Sequence, residues 1–255
     1  MKKLFSLILI LALGLFAVTG CNQATSTSPT EIPDGADVAS TVGGLMGLST
    51  SIDGTARGLM GVASVSSAGL KAMEEASDLA YDGSIGWWTF TWTYGSTSYS
   101  FKARAYTALN EEIVLKANLG NMNKLVVVAS YSIGAAVTYN FGTDANPMTF
   151  DGIDSGIKSL NGTAVVTLTD DAGHTFTCQL VYSGVTLNAS GYPSTGSATF
   201  TFTSSDYVAV EAVLTYNGEV PPNETATLTF TAPTELAATS YTINLRDGTV
   251  TPASL

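Results

Sequence analysis

His174 is the only histidine of the chain, and it closely follows Asp170 and Asp171. An imidazole oriented by a carboxylate is the general base of serine hydrolases, but that chemistry also needs a serine held on a strained elbow. No G-x-S-x-G segment supplies one. The plainer reading makes His174 a solvated turn residue. Asp144, Asn146, Asp151 and Asp154 gather oxygen donors in one stretch, the ligand type that calcium takes. Their spacing fits no EF-hand loop, and short Asx side chains favour turns for their own reasons. Glu111-Glu112 offers half of a glycosidase carboxylate pair, with nothing to mark the other half. One histidine and two cysteines, Cys21 and Cys178, are too few for a Cys/His zinc centre. No cofactor is expected, and the chain reads as a non-enzyme.

Binding is the other chemistry on offer. Trp88, Phe90, Trp92, Tyr99 and Phe101 fall at alternate positions of two adjoining stretches. Alternation puts them on one face of a hairpin, as core or as the wall of an apolar ligand site. Trp87 has the opposite parity, shared with Thr89, Thr91 and Thr93. There an indole could stack on a sugar ring or sit in an interface; otherwise a helix or loop covers it. Cys178 shares parity with Phe176, Leu180 and Tyr182, so it is expected on the buried face with its thiol pKa raised.

The elements that position these residues are strands. A period of two begins after Gly83, and Gly95-Ser96 suits a two-residue type II′ hairpin. Alternation recurs over 113–119 and 135–141, while 125–133 is more continuously apolar, as a strand covered on both faces would be. TDANP and DGIDSG then predict a long loop over 143–161, with a short helix near Ile157. Strand patterns return over 164–168, 176–182, 198–202, 208–216, 228–230 and 241–245. About ten strands joined by short turns predict a mainly β domain over 83–255. The expected form is an antiparallel meander curled into a barrel or half-barrel, with a β-sandwich as the alternative.

Upstream, 36–82 reads as a Gly-rich helical segment. Leu70, Met73, Ala76 and Ala80 share a helical face, so an amphipathic helix is expected to pack on the sheet. Gly44-Leu45-Met46-Gly47 recurs as Gly58-Leu59-Met60-Gly61. Small residues there suit close packing under a sheet, or an apolar surface that meets lipid or a partner.

The net charge is −11, with only 12% charged residues. So acidic a chain disfavours nucleic acid, and its summed charge gives no pull towards anionic lipid. Lys2 and Lys3 precede an apolar run, Leu4 to Val18, that is shorter than the ~20 residues of a spanning helix. It ends in Val18-Thr19-Gly20-Cys21. These residues resemble the lipobox of bacterial lipoproteins. The resemblance implies a signal peptide over 1–20 and a mature N-terminus at Cys21 carrying fatty acyl chains such as palmitate. It implies lipid anchoring in the bacterial cell envelope. Asn22, where an inner-membrane retention signal would have Asp, leans towards the outer membrane. Several chains on one residue anchor stably where one does not, at ~0.8 kcal/mol per buried CH₂.

Residues 21–35 are Ser/Thr/Pro-rich and read as a lipidated cysteine with a disordered tether. With Cys21 acylated, Cys178 has no partner for a disulfide. A curved sheet with a helix on its concave face is similar in outline to the lipoprotein-carrier half-barrels of bacterial envelopes, without a shared motif. The expected function is therefore a lipid-anchored envelope protein whose β-domain binds an apolar ligand or an envelope partner in a curved sheet. A structural or adhesive surface module without ligand is the alternative, and an envelope hydrolase a remote one.

Overall fold

The computed structural model describes residues 29–47, 79–94, 97–133, 137–153, 159–171, 173–188, 192–217 and 224–253. Cys21 and its signal peptide, residues 69–78 of the expected helix, the second Gly-Leu-Met-Gly piece, Asp154 and the expected helix near Ile157 lie outside these residues. The strands are β1 (Ala80–Asp82), β2 (Trp87–Tyr94), β3 (Thr97–Tyr106), β4 (Lys124–Ile133), β5 (Val137–Phe141), β6 (Met148–Asp151) and β7 (Ser159–Thr169). They continue as β8 (Thr175–Leu187), β9 (Pro193–Ser204), β10 (Val210–Tyr216), β11 (Thr225–Ala232), β12 (Ser240–Asn244) and β13 (Val250–Pro252). All thirteen belong to one sheet, in which nearly every strand pairs antiparallel with the next in sequence. The domain is the mainly β meander that the alternation predicts, with more strands than the sequence shows.

One of the extra strands, β6, shares its place in the sheet with β5, which the sequence predicts. β5 and β6 both pair with β4 on one side and β7 on the other. They are halves of one strand position, split by an excursion over 142–147. The expected long loop over 143–161 is therefore wrong in its middle: TDANP does leave the sheet, but Met148–Asp151 returns to it. Gly142 makes the exit possible. Its φ is +66°, and a Cβ there would lie 2.6 Å from the Met148 amide nitrogen. Turn residues on both sides hide a four-residue strand from any windowed reading of the sequence.

A second correction concerns 113–119. Ile113 and Leu119 are buried, but Leu115 is exposed and Lys116–Asn121 is a 3-10 helix. Alternation over so few residues cannot tell a strand from a loop that buries its two ends. A third concerns the helix. The described helix, α1, spans Gly35–Gly47, and the first strand begins at Ala80, just inside the segment expected to be helical.

The sheet has two dissimilar faces. One holds Ala103, Val127, Phe141, Phe150, Val166, Leu180, Phe200, Leu214, Leu228 and Ile243 in a single buried cluster. The other carries Ser and Thr at the alternate positions. A sheet this wide does not stay flat: twist accumulates at ~20–25° per strand, and such sheets curl or split into layers. Either way the apolar face is enclosed. Val38, Ala39, Val42 and Met46 of α1 join the same cluster. The helix lies along β12 and β13, with Gly35 against Phe230 and Leu236 and Gly43 against Gly248 and Val250. Among the described residues β1 pairs only with β2 and β13 only with β12, so both edges stay open.

The two ends of the sheet also differ. Glu31 bridges Tyr207, and its carbonyl accepts from the Val208 amide at 2.8 Å. The N-terminal segment thus enters at the end that holds the β7–β8, β9–β10 and β11–β12 connections, called here the tether end. The opposite end holds the β1–β2 turn and the long β3–β4 connection, and is called the loop end.

Candidate functional site

The aromatic wall expected from alternation does face inward. Trp88 and Phe101 are buried in the core, and Phe90 is half-buried against it. Trp88 is committed further. Its Nε1–H donates to the Ile113 carbonyl at 2.8 Å, and its ring meets Tyr81 at 5.4 Å between centroids. An indole held by both packing and a hydrogen bond is a structural residue. The backbones of Trp92 and Tyr99 continue the same registers, opposite each other across β2 and β3.

Trp87 faces outward yet is only 8% exposed. Among the described residues, two cations on β3 cover it. Arg104 lies 4.7 Å and Lys102 5.3 Å from the centre of its ring. Arg104 also donates from Nε to the Gly86 carbonyl at 2.9 Å, and Lys102 pairs with Asp144 at 2.5 Å. The indole face is thus occupied, which removes the sugar-stacking reading of Trp87.

The remaining candidates disperse. Asp144 is held by Lys102 across the outer face of β4, while Asp151 accepts from the Gly152 amide at the far end of β6. Among the described residues no three His, Cys, Asp or Glu side chains converge as a metal site would require. Glu111 and Glu112 are exposed on the β3–β4 connection. His174 Nδ1–H donates to Asp170 Oδ2 at 2.9 Å, and Asp170 Oδ1 accepts from the His174 amide. The hydrogen bond to Asp170, with the charges of Asp206 and Asp170, raises the imidazole pKa above its usual value. The pair closes the β7–β8 turn at the tether end. Cys178 is buried on β8, and desolvation pushes its thiol up to about 12.

Two features escaped the sequence reading. Glu224 is 1% exposed, and its carboxylate accepts from Arg246 Nε and, at 3.4 Å, from Asn188 Nδ2. Its parity was the available signal: Glu224 is in step with the buried Ala226, Leu228 and Phe230. The second is an apolar patch at the loop end. Leu109 is 81% exposed, Leu115 62%, Ile85 50% and Val114 44%. All four belong to this end of the sheet: Arg104 of β3 binds the Ile85 carbonyl, while Glu112 and Ile113 pair back onto the end of β3. Nothing in alternation marks a loop apolar residue as exposed.

No helix among the described residues is long and apolar enough to cross a membrane. Comparison with protein-family models, with curated proteins and with solved structures finds no match for this chain.

Proposed function

We propose that this chain is a lipid-anchored, non-catalytic protein of the bacterial envelope that works by surface contact, its β-domain serving as a rigid carrier for exposed loops. One observation supports contact over enclosure. Trp88 and Phe101 are spent on the core, whereas Leu109, Leu115, Ile85 and Val114 stand in solvent together at one end. Exposed apolar side chains gathered at one end of a domain suit an interaction surface. The anchor rests on the Val18-Thr19-Gly20-Cys21 segment and the cationic, apolar stretch before it. Replacing the acylated residue tests it: Cys21→Ser should accumulate as precursor and leave the detergent phase. Normal cleavage with unchanged membrane retention would remove the lipoprotein reading.

A second reading keeps the apolar ligand inside the curved sheet, and the half-exposed Phe90 beside Trp88 favours it. Titration with a fluorescent fatty acid separates the two. Saturable, stoichiometric binding supports the enclosed ligand; a signal that rises only linearly supports surface contact.

A further inference from the structure

We infer that the loop-end patch docks onto the anionic lipid surface to which the chain is tied, so that the domain lies down on its own membrane. This deepens the proposed function and rests on its lipid anchor. Four exposed aliphatic side chains are few against the ~800 Å² per partner that a stable protein interface buries. A bilayer asks for less, because the tether keeps the patch at a high local lipid concentration and weak contacts suffice.

Charge selects this surface. The chain as a whole is acidic, but its described charges are segregated. Lys102, Arg104, Lys116 and Lys124 all belong to β3, β4 and their connection; Lys102 pairs with Asp144, and Asp82, Glu111, Glu112 and Asp151 lie on that connection or the neighbouring strands. That sector is close to neutral. Everywhere else among the described residues, Arg246 is the one cation against ten acids. Among the described residues, this sector is therefore the one that anionic lipid repels least. The repulsion is strong where the tether enters, because Glu31, Asp34, Asp170, Asp171, Asp206 and Glu235 surround that end. Residues 22–28 span at most about 25 Å when fully extended. The domain cannot leave the membrane, and its acidic end cannot rest on it. Tilting the neutral apolar sector towards the lipid satisfies both constraints.

The shape of the patch agrees. Leu109 is at the tip of a turn closed by the Asn110 amide on the Thr107 carbonyl, and Asn110 has φ 61°. A projecting leucine enters a lipid interface readily but fits poorly against a flat protein surface. Aromatic rings with cations beside them, Lys124 over Tyr106 and Arg104 over Trp87, border the patch as they border membrane interfaces.

The test uses the full acylated chain in phosphatidylethanolamine–phosphatidylglycerol vesicles. Leu109→Cys carries an environment-sensitive fluorophore on its thiol; buried Cys178 does not compete in the folded protein. Leu115→Cys is the independent second site, and Asp171→Cys at the tether end is the control. Emission at 109 and 115 should shift to the blue and be quenched several-fold more strongly by lipid-borne nitroxides than emission at 171. A chain that floats with the vesicles while its labels at 109 and 115 stay aqueous overturns the docking, and frees the patch for a protein partner. A chain that does not float overturns the anchor itself, and the docking with it.

Discussion

His174 and Asp170 fasten the β7–β8 turn twice, through ring and backbone. Because the folded-state pKa of His174 is raised, the imidazolium is favoured in the native protein over the unfolded chain. The stability this adds is fully present below the unfolded pKa of ~6.5 and is lost as pH rises through the higher folded value. In thermal melts across pH 5–9, the wild type should lead His174→Gln most at the acid end, and the gap should close with rising pH. A constant gap would mean that the pair acts by shape alone. Exposure to solvent keeps the effect small and salt-sensitive.

Glu224 is the more expensive group. Its carboxylate is buried, whereas its partner Arg246 is half exposed at 54%. Removing one partner of a buried pair leaves an uncompensated charge. Arg246→Met should therefore cost about 1–3 kcal/mol, less than a fully buried pair would, because water can reach the vacated side. Denaturant melts check this, and Glu224→Gln should restore part of the loss in the double variant.

Among the elements, α1 offers a paired test on adjacent glycines. Ala stabilises a helix interior by about 1 kcal/mol relative to Gly. At Gly44 a Cβ would meet nothing within 4 Å, so Gly44→Ala should raise the melting temperature. At Gly43 the Cβ would strike the Gly248 carbonyl and lie 2.6 Å from Val250 Cγ2. Gly43→Ala should destabilise by about 1–3 kcal/mol, the range for forcing atoms into a packed contact. Equal effects at both positions would mean that α1 does not lie on β12 and β13. The split strand makes a similar demand. At Gly162, φ is +126° and a Cβ would sit 2.7 Å from Met148 Cα, so Gly162→Ala should cost at least as much.

At the scale of the whole molecule, Cys178 reports on global opening. It lies on β8, flanked by β7 and β9 near the middle of the strand order, with Val166 and Phe202 as its cross-strand neighbours. No edge opening exposes it. Thiol labelling should be negligible in the native state and should track the same free energy as a denaturant melt. Fast labelling of the folded protein would invert the register of β8. Cys178→Ala should cost on the order of 1 kcal/mol for one small buried group.

The sequence by itself determined the class of fold, because the inward residues of β3, β7, β10 and β11, and those of β8 and β9 outside their bulges, follow a period of two that only a one-sided sheet can bury. The same parity placed Trp88, Phe101 and Cys178 inside and, read further, would have placed Glu224 there. It determined the net charge, but not where the charges sit. Tertiary structure alone decided that β5 and β6 share one strand position, since pairing across the 142–147 excursion is a contact between distant residues and no local window contains it. It decided that Trp87 lies under Lys102 and Arg104, because cover comes from the neighbouring strand. It decided that Leu115 is exposed while Leu119 is buried, since a 3-10 turn breaks the alternation between them. And it gathered four of the five described cations on β3, β4 and their connection, because register brings together side chains that composition can only count.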